Sequence, residues 1–309
     1  MAYHLTKRRK KKFKLAHTKN IALILMIADQ KGFFYDHGLD IEYIEVPHAL
    51  KGMELLLEEK VDASVLVEIN FAYLGYYSPK KPVKAFASLE KRTADDLLVH
   101  GKNVQPEDIR GKTIGFTPRT TSHSFITKFL EHHDIPKRDV TLKPYNPLAI
   151  PNAFIRGEID AASLWQPNTY NTIIAMKELG RPYTHFKNTG FHTSEVILGT
   201  HKSTLVKNSD QIKRLLKTLK EAEDFLVNNP ETAHKIIAEK MKISGPEIQN
   251  IFEQIQPRLA PISPSYLENI EMLSLWIREN DTEFTDKNAP NYLDYIDNSY
   301  YLDAFTKKR

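Results

Sequence analysis

The feature that most constrains the fold of this chain is an order of elements that occurs twice. The first copy opens on "FKLAHT" (13–18), an apolar strand, followed by a helix through "IALILMIADQKGFF". "LDIEYIEV" (39–46) then alternates with the period of two that marks a strand, "KGMELLLEEK" carries helical spacing, and "VDASVLV" (61–67) is an apolar strand. This is β-α-β-α-β, the unit of a mostly parallel sheet.

About 99 residues later the order returns. "LAHTKN" lies over "IGFTPR", placing Thr18 over Thr117; "LDIEYIEV" lies over "RDVTLKPY", placing Asp40 over Asp139; and "VDASVLVEIN" lies over "IDAASLWQPN". The last alignment sets Asp62 over Asp160, Leu66 over Leu164 and Asn70 over Asn168. Buried parallel strands draw on the same few apolar residues, so hydrophobic agreement alone would carry little. Matched polar residues at a nearly constant offset point instead to two α/β lobes of like construction. The period is too long for a solenoid, which leaves two lobes facing each other across a cleft.

Composition narrows the functions open to such a body. At 309 residues the chain is long enough for two domains, and 41% hydrophobic with 27% charged residues is ordinary for a globular protein. There is no cysteine, which excludes disulfides, thiolate metal sites and Cys nucleophiles. The formal charge of +4 conceals an asymmetry: "KRRKKKFK" (7–14) carries seven positive charges, leaving about −3 for the rest. The folded body is therefore not expected to bind nucleic acid. The basic run followed by "IALILMIA" has the elements of a signal peptide, but "LAHTKN" separates them and no small-x-small cleavage site follows. Residues 1–12 are expected to be a basic leader or tail.

In parallel sheets, ligands gather beyond the carboxyl ends of strands, so those ends are where a site is sought. In the first lobe the first strand ends at Thr18, Lys19 and Asn20; in the second it ends in "TPRTTSH" (117–123). Apolar residues Phe125, Ile126, Phe129 and Leu130 predict a helix starting near Thr121 or Ser122. A helix start offers unpaired N–H groups and a partial positive charge, a natural place for a polar or anionic ligand. One hydroxyl suffices to cap the helix, so Thr117, Thr120, Thr121 and Ser122 leave hydroxyls to spare, and His123 and Arg119 stand beside them. The third strands end in Glu68 and Asn70 and in Trp165 and Gln166, with Trp165 placed either to stack on a planar ligand or to close the core.

"TGFHTSEVILG" (189–199) is extended in pattern, and "DDLLVHG" (95–101) is the earlier segment with which it is expected to pair. The chain would leave the first lobe near 95 and return near 195, a hinge of two crossovers that contains Glu195. The predicted division is 13–96 with 196–309 as lobe one and 97–195 as lobe two. Residues 208–306 are helical in pattern and are expected to pack on lobe one, where Trp276 would sense little of the cleft.

Five segments in order carry a family resemblance: "ADQKGFFYDHGLDIEYIEV", "LLLEEKVDASVL", "DIRGKTIGFTPRTTSHSFITKFL", "FIRGEIDAASLWQPN" and "NPETAHKIIAEKMKIS". The chain resembles the solute-binding proteins of ABC importers in the nitrate, sulfonate, taurine and thiamine-precursor group. The resemblance implies an α/β, two-lobed type II periplasmic-binding-protein fold that closes on a small solute and delivers it to a membrane permease. It further implies a monomer without cofactor or metal, placed in the periplasm or anchored on the outer membrane face. "TPRTTSH" matches the segment whose hydroxyls and amides meet solute in that group, Asn20 matches its first-lobe loop, and Trp165 and Gln166 match its second-lobe contacts. Two departures stand out: Arg119 where the group commonly has Gly, and Gln166 where many members have Glu.

The candidate ligand contacts are thus Asn20, Glu68, Asn70, Thr117, Thr120, Thr121, Ser122, His123, Trp165, Gln166 and Glu195. Glu68 and Glu195 would make an oxyanion uncomfortable in a low-dielectric cleft and favour a nitrogen-containing, heterocyclic solute. The alternatives are a sulfonate, taurine or nitrate receptor, a solute sensor, or an enzyme of pyrimidine or menaquinone precursor metabolism. The pyrimidine-forming relatives carry a Cys-rich motif that a chain without cysteine lacks, and no metal spacing or nucleophile triad stands out in the sequence.

Overall fold

The computed structural model describes residues 12–18, 22–77, 83–243 and 245–306. The predicted repeat is present as two sheets. The first lobe begins with β1 (Phe13–Thr18), α1 (Leu23–Gln30), α2 (Phe33–Asp36), β2 (Ile41–Val46), α3 (Ala49–Leu57), β3 (Ala63–Val67), α4 (Glu68–Tyr77) and β4 (Val83–Arg92). The second holds β5 (Asp95–His100), β6 (Thr113–Phe116), α5 (Thr121–His132), β7 (Thr141–Pro144), α6 (Ile150–Arg156), β8 (Ala161–Trp165), α7 (Asn168–Glu178) and β9 (Tyr183–Phe186). The chain then returns through β10 (Ser194–His201) to α8 (Lys202–Lys207), α9 (Ser209–Asn228), α10 (Pro230–Met241), α11 (Gly245–Gln254), β11 (Ile255–Ala260), α12 (Pro264–Asn280) and α13 (Ser299–Phe305).

The strand orders are β11-β4-β10-β3-β1-β2 and β7-β6-β8-β5-β9. In each sheet the first strand lies parallel between the second and third, and the third pairs antiparallel with the strand that arrives from the other lobe. The matched aspartates show why both copies fold alike. The Asp62 carboxylate accepts from the Lys14 amide at 2.8 Å and its own amide donates to Lys14 O at 2.9 Å. Asp160 repeats both bonds on Thr113, at 2.8 and 2.9 Å. Asp40 and Asp139 likewise each accept through their carbonyl oxygen at the entry to the first strand, from Phe13 and Gly111.

Two expectations need correction. Segments 95–101 and 189–199 do not pair: β5 lies between β8 and β9, and β10 lies between β3 and β4. Each crossing strand is paired on both edges within its own lobe, so neither has a free edge for the other. The sheet changes accordingly fall between Arg92 and Asp95 and between Phe186 and Ser194, so Asp95 and Asp96 join the second sheet and Ser194 and Glu195 the first. Within the C-terminal region expected to be helical, β11 forms an edge strand on β4.

The cores follow the sheets. In lobe one α1, α9 and α10 cover one face through Leu23, Ile27, Leu215, Leu219 and Ile237, while α3, α4 and α12 cover the other through Met53, Phe71, Tyr266 and Ile277. Lobe two is thinner: Phe125, Ile126 and Phe129 of α5 fill one face, and Ala153, Phe154 and Met176 of α6 and α7 the other. Among the described residues no helix is long and apolar enough to cross a membrane.

Candidate functional site

A cleft of about 280 Å³ lies between the lobes where the strand ends of both sheets meet. Lobe one contributes Thr18, His48, Leu50, Val67, Asn70 and Arg92, together with Lys240, Met241 and Lys242 from the end of α10. Lobe two contributes Asp95, Thr120, Thr121, Pro147, Leu148, Trp165, Pro167, Asn168 and Asn171, and Ser194 lies at the return crossing. The cleft therefore has polar groups on both walls and apolar rims.

Of the residues singled out by sequence, Asn70, Thr120, Thr121 and Trp165 line this space. Asn70 uses its carboxamide oxygen to accept from the Val67 amide at 3.1 Å, which fixes the turn from β3 into α4. In "TPRTTSH" the hydroxyls divide their work. Thr120 donates to Thr117 O at 2.7 Å, and Thr121 donates to Asp95 Oδ1 at 2.8 Å. Ser122, fully buried, bonds Ser163 on β8 and accepts from the Thr117 amide at 3.3 Å, so it secures the turn to the sheet rather than facing the cleft. Thr117 Oγ1 is buried without a hydrogen-bond partner among the described residues. None of these hydroxyls caps α5: the helix start carries no side-chain cap bond, and neither does that of α7.

Other predicted contacts are placed elsewhere. His123 packs between Phe116 and Trp276, ring centroids 4.7 and 4.8 Å away, and burial followed by the charge of Lys137 pushes its imidazole down to about 4. Trp276 thus touches lobe two through His123, although it does not line the cleft. Asn20 lies outside the described residues.

Glu68 and Glu195 also do not line the cleft. Glu68 is 1% exposed and accepts from the Glu195 amide at 2.6 Å. Burial raises its carboxyl to about 8, against the pull of that bond, so it is chiefly protonated at neutral pH. Gln166, at the equivalent position of lobe two, donates to Asp96 Oδ2 at 3.2 Å. Each residue ties the end of its lobe's third strand to the strand crossing in from the other lobe. Contrary to the expectation that they would oppose an anion, a buried acid and a side chain beside Lys91, neither lining the cleft, do not present charge to it.

The acidic residue in the lining is Asp95, 2% exposed, with Oδ1 accepting from the cleft residue Thr121. Burial raises this group to about 7, opposed by the Thr121 hydroxyl, pushed further by Asp96 and lowered by Arg92. Behind it stand His192, with Nδ1 3.5 Å from Asp95 Oδ2, and Ser124, whose Oγ is 2.9 Å from His192 Nε2. The order Ser-His-Asp is that of an acyl-transfer triad, but Ser124 is 1% exposed, lies within α5 and donates to Thr121 O at 3.1 Å. Its hydroxyl cannot reach a bound molecule. Burial pushes His192 down to about 3, so a neutral imidazole stands beside Asp95. No cluster of metal-binding side chains occurs among the described residues.

The cleft's basic residues are Arg92, ion-paired with Glu90, Lys240, whose Nζ lies 3.4 Å from Asp29 Oδ2, and Lys242. His48, which caps α3 by accepting from the Lys51 amide, is held below its ordinary pKa, first by burial. Asp95, Arg92, His48, Asn168, Asn171, Ser194, Lys240 and Lys242 were missed from sequence. Only Asn168 had a signal, its match to Asn70.

Arg119, whose role the sequence leaves open, has φ +60°, the left-handed region that costs a side-chain-bearing residue about 1 kcal/mol. Its side chain leaves the cleft and reaches Asp281 and Glu283 of lobe one.

Two lobes of this topology joined by two crossings define a bilobal binding-protein fold. The chain belongs to the NMT1/THI5-like family, whose model matches residues 20–233. The crystal structure of the periplasmic aliphatic sulphonate binding protein SsuA from Escherichia coli superposes with a TM-score of 0.76 at 17% identity, covering 94% of this chain and 99% of that one. The fold is that of the type II periplasmic binding proteins. The taurine-binding periplasmic protein of Escherichia coli is 26% identical over 157 residues, 50% of this chain and 48% of its own. A Saccharomyces cerevisiae protein, the 4-amino-5-hydroxymethyl-2-methylpyrimidine phosphate synthase THI13, is 24% identical over 226 residues, 68% of this chain and 65% of its own.

Proposed function

We propose that this protein captures a small nitrogen-bearing solute in the inter-lobe cleft and delivers it, unchanged, to an ABC permease. The observation that carries the reading is Asp95: a carboxylate at the hinge side of a cleft whose other walls come from both lobes. An amine or ring N–H placed against it would hold the carboxylate ionised, and Trp165 offers a face for a planar or aliphatic body. Delivery from the periplasm or the outer membrane face, as a monomer, fits the family's receptors.

A second reading has its own support. The starts of α5 and α7, without side-chain caps, and Lys242 at the end of α10 favour an anionic group. A sulfonate, taurine or nitrate would satisfy these, and taurine also brings an amine for Asp95. Synthesis of a pyrimidine, the activity named for the yeast relative, has no support in the cleft, where the one Ser-His-Asp array is buried behind the wall.

A melting assay with pyrimidines, simple amines, taurine, alkanesulfonates and nitrate tests the proposal, since a ligand that binds only the folded state raises its Tm. Compounds with an N–H donor are expected to raise it and to be recovered intact. Shifts by nitrate and alkanesulfonates alone would establish the oxyanion reading, and turnover of any compound would overturn the receptor.

A further inference from the structure

The seam between the lobes continues beyond the cleft to a cluster outside its lining. Arg119, one residue before the cleft residue Thr120, extends from lobe two to the end of α12 in lobe one. Its Nε donates to Asp281 Oδ2 at 2.7 Å, and its Nη2 donates to Glu283 Oε2 at 2.6 Å and Asp281 Oδ1 at 3.3 Å. Nη1 donates to the Tyr77 hydroxyl. The guanidinium carbon stands 5.4, 5.7 and 5.9 Å from the ring centres of Phe284, Tyr73 and Tyr77. Tyr73 in turn donates to Asp281 Oδ2 at 3.3 Å, which orients the acceptor.

This socket is built for one guanidinium: two carboxylates take its planar fork and three rings surround it. Both partners are partly screened, with the Asp281 side chain 12% and that of Arg119 31% exposed. The same end of α12 meets lobe two again at Trp276 on His123 and at Asn280, which accepts from Lys137 at 3.4 Å. The lobes are otherwise joined covalently only by the two crossings, so contacts on this edge must break when the lobes part. The strained backbone of Arg119 belongs to the same turn that carries Thr120 and Thr121 into the cleft.

We infer that Arg119 is a clasp, a positioning residue that holds the lobes together through Asp281, Glu283 and the Tyr73–Tyr77–Phe284 socket, so that closure of the cleft and the shape of the 117–123 turn are one event. Its release lowers the fraction of molecules in the binding-competent state, and apparent affinity falls in proportion to that fraction.

The test uses the solute-free full-length protein, with Trp165→Phe as background so that Trp276 is the single emitter. Arg119→Gly removes the clasp while suiting the positive φ, so a failure to fold is not the expected outcome. It should raise the radius of gyration in small-angle X-ray scattering and shift Trp276 emission to the red. Asp281→Asn with Glu283→Gln, which empties the socket from the other lobe, should do the same, and Arg119→Lys should recover part of the change. Salt at 1 M should move the parent protein toward the variants, because the screening length then falls to about 3 Å. An unchanged radius and emission in both variants, whether or not their Tm falls, would overturn the clasp.

Discussion

The two lobes share a frame and differ in what they hang on it. Asp62 and Asp160 make the same pair of bonds to the first strand, and the strand orders agree through five positions from β2 and from β7. Yet Glu68 accepts from a backbone amide of β10, whereas its counterpart Gln166 donates to a side chain of β5. Lobe one is thickened by the C-terminal helices; lobe two is a thin five-stranded body with the polar turn at 117–123. The repeat thus fixes where a cleft must lie, and the departures from repeat decide its chemistry.

The largest effects should come from the cores. Phe86→Ala in lobe one and Phe125→Ala in lobe two, both fully buried, should each cost about 3–5 kcal/mol in urea unfolding followed by circular dichroism. A negligible loss in either would show that its lobe is not independently packed, and would break the comparison.

Next comes Glu68, the buried acid at a position where lobe two has Gln166. Glu68 is held near 8 in the fold and ionises near 4.5 in the unfolded chain, so it favours the folded state fully at low pH. That contribution is lost as pH rises toward 8, at about 1.4 kcal/mol per unit while only the unfolded form is ionised. Asp95 adds the same sign up to about 7. Unfolding measured from pH 5 to 8 should therefore show a flatter profile for Glu68→Gln than for the parent protein, with the variant gaining on it as pH rises. Parallel profiles would refute the burial of a protonated Glu68.

The smallest effects belong to the matched aspartates. Asp160→Ala should lower stability by about 1 kcal/mol, and Asp62→Ala by somewhat more, because Asp62 also accepts from Asn208 at 3.3 Å. Reversal of that order in a melting comparison would mean that the shared bonds are not what stabilises the shared frame.

This division also explains what was legible in the sequence. Period, order and matched aspartates are local signals, and they disclosed both sheets and the start of α5 at Thr121. The partners of β5 and β10 were not legible, since which strand an extended segment joins depends on sheets formed by distant chain. Side-chain placement at a strand end was equally hidden: Glu68 and Ser122 lie outside the cleft lining, while Asp95, just after the crossing, belongs to it. Lys240 and Lys242 reach the cleft only through the packing of α10 on α1, and Arg119 finds its socket 162 residues away.

In the proposed function, Asp95 anchors a nitrogen-bearing solute between the lobes. Isothermal titration of the strongest compound from the melting assay into the parent protein and Asp95→Asn tests it most directly. Loss of a charged hydrogen bond should weaken binding about 10–100-fold in the variant. Equal affinity in the two proteins would contradict the account.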